Sequence, residues 1–205
     1  MPDSSATQAG FFQSARMPDP DWWEVLWPDP AKVLADVGIE PGMRVADLCS
    51  GDGWFTLQIA RIAAAVIAID LDPQLLDLAR IRLKEAGVAN GHFVTSDAYD
   101  IAAAVGKPVD HVFLANTFHG APDHTRLARA VHDALEPDGL FTVINWHDRP
   151  REETTVLGKP RGPLTALRMS PEAAIATVEP AGFKLHRLVD VSPYHYGAVF
   201  KRTSG

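Results

Sequence analysis

Cysteine is almost absent: Cys49 is the only one in 205 residues. That excludes an internal disulfide framework and any metal site built on several thiolates. An excess of basic charge is absent too. Nineteen Lys and Arg face 26 Asp and Glu, a formal net charge of −7, whereas broad, non-specific binding of nucleic acid needs basic surface. Long apolar runs are missing. The longest, residues 62–69, is far short of the roughly 20 residues that span a bilayer. Residues 1–20 hold no apolar segment of the secretory-signal type. The expectation is a cytoplasmic protein with no membrane and no nucleic-acid partner. Nothing in the sequence indicates an oligomeric state. The remaining composition, 46% apolar and 22% charged, is that of a globular chain large enough for one domain with a full core.

The chain is organised around residues 45–56. A short apolar run, Val45 to Leu48, breaks into the small-residue turn Cys49-Ser50-Gly51-Asp52-Gly53. A helix-like segment follows over 54–65, with apolar residues at 55, 57, 59, 60, 62 and 63. This reads as buried strand, tight loop and helix start. Such a loop exposes free backbone N–H groups to an anionic ligand group, and glycine lets a ligand approach the backbone.

Around this stretch strands alternate with helices. A short helix from Asp29-Pro30 (N-cap, then proline at the first helical position) runs to about Val37. Strands are expected at 44–48, 65–70, 92–95, 109–115 and 140–146, with helices at 73–85, 101–105 and 123–135 between them. The pattern means βαβ units and a parallel sheet covered on both faces. Residues 148–169 read as a long irregular loop. Ser170-Pro171-Glu172 caps a last helix, and strands at 183–189 and 195–201 are joined by too short a turn for a crossover, so they form an antiparallel hairpin. The fold class is thus α/β, a Rossmann-like, doubly wound sheet of seven strands, mostly parallel, with the last strand antiparallel.

Residues 1–28 read as an N-terminal arm, mobile in part, ahead of a single domain at 29–205. Trp22, Trp23 and Trp27 fall within six residues of one another. Pinning the arm to the domain is the plainer reading and a lid over a pocket the sharper one. Both hold together, because a lid must also pack.

Four features share the carboxyl edge of the sheet: the glycine loop after strand one, Asp70 after strand two, Asp97 after strand three, and Asn116 to His119 after strand four. Open α/β sheets bind ligands at this edge. Asp70 is placed to accept from both ribose hydroxyls, and Asp97 from an exocyclic amine. Together they describe a nucleoside whose other end sits on the glycine loop.

On these residues the chain resembles the class I S-adenosylmethionine-dependent methyltransferases of the small-molecule, single-domain type, from about Arg44 to Lys201. Asp47-Leu48-Cys49-Ser50-Gly51-Asp52-Gly53 resembles the family's first motif, with Cys49 where its first glycine usually sits. Residues 67–80, Ile67 to Arg80, resemble the second motif, Ser96-Asp97-Ala98 the adenine turn, and 135–140 the turn before strand five. The closing hairpin is the family's hallmark. The resemblance implies the sheet order 3-2-1-4-5-7-6 and S-adenosyl-L-methionine as cofactor, with S-adenosyl-L-homocysteine as product. It implies that Asp47, Gly51 and Gly53 line the methionine end and that Cys49 bears on the space there. Asp70 would hold the ribose, Leu71 would lie against the adenine, Asp97 and Ala98 would meet the adenine amine and ring, and Asn116 would lie near the transferred methyl. The acceptor would be a small molecule.

A base is needed only if the acceptor arrives protonated. Candidates after strands four and five are His119, Asn145 and His147, with Tyr194, His195 and Tyr196 coming from the hairpin. His111, inside strand four, reads as structural. Two histidines without a third ligand make a poor zinc site, so no metal is expected. Cys49 reads as a small buried filler rather than a nucleophile. Arg149, Arg151, Arg161 and Arg168 gather around the long loop and could grip a carboxylate or phosphate; Glu152, Glu153 and solvent offer a plainer fate. The Pro-Pro-aromatic step that the family uses for base-amine methylation is absent, replaced by Asn116-Thr117-Phe118-His119. The tryptophans suggest an apolar or aromatic acceptor. Two other readings stand beside this one. A nicotinamide-dependent oxidoreductase would use Gly51-Asp52-Gly53, though Thr56 stands where its fingerprint needs a third glycine. A cofactor-binding scaffold without catalysis would account for Cys49.

Overall fold

The computed structural model describes residues 12–13 and 17–203. The mobility expected of the arm falls mainly on residues 1–11 and 14–16, outside the described residues. Two helices, α1 (Pro20–Leu26) and α2 (Pro30–Asp36), precede the sheet. The expected cap of α2 forms: the Asp29 side chain accepts from the Lys32 backbone N–H at 2.9 Å, with Pro30 in the first turn.

The sheet begins with β1 (Arg44–Leu48), then α3 (Trp54–Ala60), β2 (Ala65–Asp70), α4 (Pro73–Glu85) and β3 (Gly91–Thr95). It continues with α5 (Ile101–Val105), β4 (Val109–Ala115), α6 (His124–Ala134) and β5 (Leu135–Trp146). A two-stranded ribbon, β6 (Thr155–Val156) with β7 (Lys159–Pro160), comes before α7 (Pro171–Val178) and the final strands β8 (Phe183–Ser192) and β9 (His195–Arg202). Among the described residues the main sheet has seven strands in the order β3-β2-β1-β4-β5-β9-β8. Its first five run parallel, and β9 is antiparallel to both β5 and β8. With β8 and β9 as the sixth and seventh strands, this is the expected order.

Side chains on β4 alternate between faces. Val112 and Leu114 join one buried cluster with Leu127, Val131 and Phe141. Phe113 joins the other with Val45, Phe55 and Ile59. Both faces are therefore dry, which is why the strands read as continuous apolar runs. Each fully buried side chain of this size contributes roughly 1.5–3 kcal/mol of transfer free energy.

Some boundaries differ from expectation. Helix α3 ends at Ala60, not 65, because the Asn90 side-chain amide donates to the carbonyls of Ala60 (2.9 Å), Ala63 (3.0 Å) and Ala64 (3.3 Å). The first of those bonds satisfies an orphan carbonyl at the helix end, and the other two hold the turn that follows it. Strand β5 begins at Leu135, paired with Val109, and carries residues 136–139 as an irregular segment with Asp138 at φ 64°. The loop expected at 148–169 contains the β6–β7 ribbon, whose turn residues Leu157 and Gly158 both have positive φ (51° and 71°). Two such residues form the tight turn whose twist suits a hairpin. We call residues 148–169 the strap.

Candidate active site

The carboxyl ends of β1 to β4 open onto one cavity whose empty space, open mouth included, is roughly 1000 Å3. From the loop after β1 come Asp47, Cys49, Ser50 and Gly51; from β2, Asp70 and Leu71; from β3, Asp97 and Ala98; from β4, Asn116 and Thr117. Phe12, Met17, Pro18 and Trp23 close the opposite side.

The loop is held by its neighbours. Ser50 N–H donates to the Ile69 carbonyl at 3.0 Å, and Gly51 N–H donates to Asp70 Oδ2 at 2.8 Å. Asp72 N–H donates to Asp70 Oδ1 at 3.0 Å. Arg82 Nη2 pairs with Asp52 Oδ2 at 2.5 Å, tying the loop to α4. Cys49 has φ 58° and Asn116 has φ 61°, both in the left-handed region that costs a non-glycine residue about 1–3 kcal/mol. The first value explains why a glycine would suit position 49. Such outliers cluster at functional sites.

The electrostatics follow burial. Asp47 is 3% exposed and its carboxyl is pushed up to about 7 by desolvation, opposed by Thr56 and reinforced by Asp70. Burial also raises Asp70, against the backbone bonds from Asp72 and Gly51. The Cys49 thiol is held well above its ordinary range by burial and then by the charges of Asp70, Asp47 and Asp97, so it is no nucleophile at neutral pH. The Ser50 hydroxyl and both polar atoms of the Asn116 amide are buried without a partner among the described residues. Unpaired buried polar groups cost about 1–3 kcal/mol each and suit a polar ligand.

Gly53, Ser50 and the two candidate histidines fall differently from expectation. Gly53 does not line the cavity. It caps α3 at φ 80°, and a Cβ there would lie 2.5 Å from that of Ala79, so it permits close approach of α3 to α4. Ser50 was not singled out by the sequence, although it lies inside the loop motif. His119 sits in the short 3-10 turn Phe118–Gly120, buried, behind the cavity wall rather than in it. Its Nδ1 is 3.4 Å from Asn145 Oδ1, Asn145 Nδ2 donates to the Tyr196 hydroxyl at 3.4 Å, and that hydroxyl donates to the Met169 carbonyl at 3.1 Å. Burial lowers His119 to about 4, with Asn145 opposing. The ring is therefore neutral at pH 7 and carries a free electron pair. His147 is turned away from the cavity: its Nε2 pairs with Asp190 Oδ1 at 2.9 Å on the neighbouring hairpin. Asn145 was the readable signal for this network, a polar residue inside a buried apolar strand.

Residues 45–139 match the model of the family described as "Methyltransferase domain". This stretch resembles that family. A ubiquinone biosynthesis O-methyltransferase from Xanthomonas axonopodis pv. citri is 34% identical over 138 residues, 63% of this chain and 57% of that protein. A tRNA 5-carboxymethoxyuridine methyltransferase from Escherichia coli is 28% identical over 124 residues, 60% of this chain and 47% of that protein. The chain thus spans less than two thirds of the length of these curated relatives. A SAM-dependent methyltransferase from Aquifex aeolicus superposes with a TM-score of 0.76 at 24% identity, over 90% of this chain and 94% of that one. The chain therefore has the Rossmann-like fold of that structure through its closing hairpin. Among its described residues no cluster of three or more His, Cys, Asp or Glu is arranged to hold a metal ion, and no helix is long and apolar enough to cross a membrane.

Proposed function

We propose that this protein transfers a methyl group from S-adenosylmethionine to a small-molecule acceptor by in-line displacement, with S-adenosylhomocysteine as product. The observation that carries the reading is the gathering of Asp47, Asp70 and Asp97 with the unpaired Ser50 hydroxyl and Asn116 amide around one cavity at four neighbouring strand ends. This donor and acceptor set fits the cofactor. Asp70 retains accepting capacity for ribose hydroxyls, and Asp97, which accepts from Tyr99 N–H at 2.9 Å, retains capacity for an amine. Asp47 would face an ammonium group, and Ser50 and Asn116 would meet the amino-acid end. Leu71 and Ala98 supply apolar walls for a ring. When bound, the cofactor supplies a methyl group already activated on a sulfonium.

The protein's share is then alignment and exclusion of water. Met17, Pro18 and Trp23 would act as the lid, and Asn116 would orient the reacting end. For a protonated acceptor seated beyond the cavity wall, on the β5 side of Asn116, the unpaired Nε2 of His119 would take the proton, its ring oriented by Asn145. The net charge of −7 and the Asn116-Thr117-Phe118-His119 step favour a small molecule over a nucleic acid as acceptor. Against a dinucleotide stands Thr56, fully buried and bonded to Asp47 where a third glycine would be needed.

Calorimetric titration with S-adenosylmethionine, S-adenosylhomocysteine and NAD(H) tests the reading. Binding of the first two is expected. Binding of the dinucleotide alone overturns it, and binding of none favours a scaffold.

A further inference from the structure

The strap carries four arginines, and one of them is buried in an unusual way. Arg168 is 7% exposed. Its Nη2 donates to Thr154 Oγ1 at 2.8 Å and to the Arg161 carbonyl at 3.0 Å, and its Nε donates to the Pro163 carbonyl at 3.3 Å. All three partners are neutral. Nη1 is buried with no partner, and no ion pair includes Arg168 among the described residues. A guanidinium taken out of water without a counter-charge costs several kcal/mol. A strap staple needs the three bonds that Nε and Nη2 make to neutral oxygens; it does not need the third nitrogen, Nη1, left buried and unspent.

The surroundings point the same way. The guanidinium lies 5.0 Å from the Trp146 ring. Trp146 is 4.1 Å from the His195 ring, which is 4.6 Å from Trp27. In this aromatic group Trp27 Nε1 and His195 Nε2 are also buried and unpaired, as is Nε2 of nearby His119. The neighbouring acids, Asp148 and Glu152, are exposed on the outside of the strap. The group lies where β5 ends and β9 begins, paired Trp146 to His195, on the side of Asn116 away from Asp70 and Asp97.

We propose that Arg168 is the acceptor-recognition residue, binding the carboxylate of a small aromatic acid between the strap and the ends of β5 and β9. Resting on the methyltransferase reading, this names the acceptor class. A planar carboxylate matches the fork of the guanidinium, and the ring that bears it suits the aromatic side chains beside it. A more strongly hydrated phosphate would suit an exposed cluster.

The test uses the full-length protein saturated with S-adenosylhomocysteine. Benzoate and 4-hydroxybenzoate are titrated against their neutral amides and against phenyl phosphate by calorimetry. At least tenfold tighter binding of the acids than of the amides is expected, weakened by salt. Arg168→Gln should bring benzoate down to the level of benzamide while leaving the affinity for S-adenosylhomocysteine unchanged; Arg168→Lys should keep part of the preference. Equal affinities, tighter binding of phenyl phosphate, no measurable binding of either acid, or a preference that survives in Arg168→Gln would each overturn the proposal. If Arg168→Gln does not fold, the wild-type acid–amide pair and Arg168→Lys decide. Loss of S-adenosylhomocysteine binding with the acid preference intact would instead sink the methyltransferase reading and leave the carboxylate site standing.

Discussion

Thr56 Oγ1 donates to Asp47 Oδ2 at 2.5 Å, joining the first turn of α3 to the end of β1 where both side chains are buried. It opposes the desolvation that lifts the Asp47 carboxyl from 3.8 to about 7. A folded-state pKa above the unfolded value stabilises the fold below about pH 4, and that stability is lost as the pH rises through 7. Wild-type protein should therefore lose stability relative to Asp47→Asn between about pH 4 and 7, by up to about 4 kcal/mol. Thr56→Val should steepen the loss. Thermal melts at intervals across this range check it; parallel curves for wild type and Asp47→Asn would contradict it.

The same group sets the pH dependence of ligand binding. If an ammonium lies against Asp47, binding favours the ionised carboxylate and releases a proton below pH 7. Affinity for S-adenosylhomocysteine should then rise from pH 5 to 7, by up to about tenfold per pH unit, and level off above. Titration in two buffers of different ionisation enthalpy reads the proton directly, and Asp47→Asn should abolish the slope.

Cys49 combines a positive φ with a half-buried thiol whose pKa is raised. Cys49→Gly should be tolerated within about 1 kcal/mol, because relief of backbone strain offsets the added chain entropy. Cys49→Val should cost about 2 kcal/mol or more, since a β-branched residue is a true outlier there. The thiol should react with a disulfide reagent at pH 8 more slowly than a free cysteine does, and unfolding should remove the difference.

Gly53→Ala tests packing against ligand contact. With Ala79 in the way and φ at 80°, the variant should lose about 2 kcal/mol or more. Measured well below its melting temperature, its affinity for S-adenosylhomocysteine should stay within about threefold of wild type. A large affinity loss without loss of stability would restore Gly53 to the cofactor contacts.

His119→Ala should lower kcat/KM for a protonated acceptor by roughly 10²–10⁴. With the folded pKa lowered to about 4, the ring's contribution to stability is present above its unfolded pKa near 6.5 and is lost as the pH falls toward 4. The rate profile should accordingly show no break near 6.5 from this residue. Unchanged turnover in His119→Ala removes it from the proton path.

Much of the fold was readable because it is encoded locally. Apolar runs mark the buried strands, and Asp29-Pro30 and Ser170-Pro171 mark helix starts through bonds spanning three residues. The acids Asp70 and Asp97 could be assigned to one edge because parallel strands bring their carboxyl ends together. The end of α3 was not readable, since Asn90, about 30 residues along, supplies the bonds that stop it. Nor was the orientation of His147, whose partner Asp190 is 43 residues away.

By itself, then, the sequence determined the order of strands and helices and the set of polar residues delivered to the cavity, because periodicity, caps and turns act over a few residues. Only the tertiary structure decided which of those residues line the cavity, that Gly53 serves helix packing, that His119 lies behind the wall, and that Arg168 is buried without a counter-charge. Burial and pairing are set by neighbours brought together through space, and desolvation, which sets the charge states of Asp47 and His119, exists only once those neighbours have excluded water.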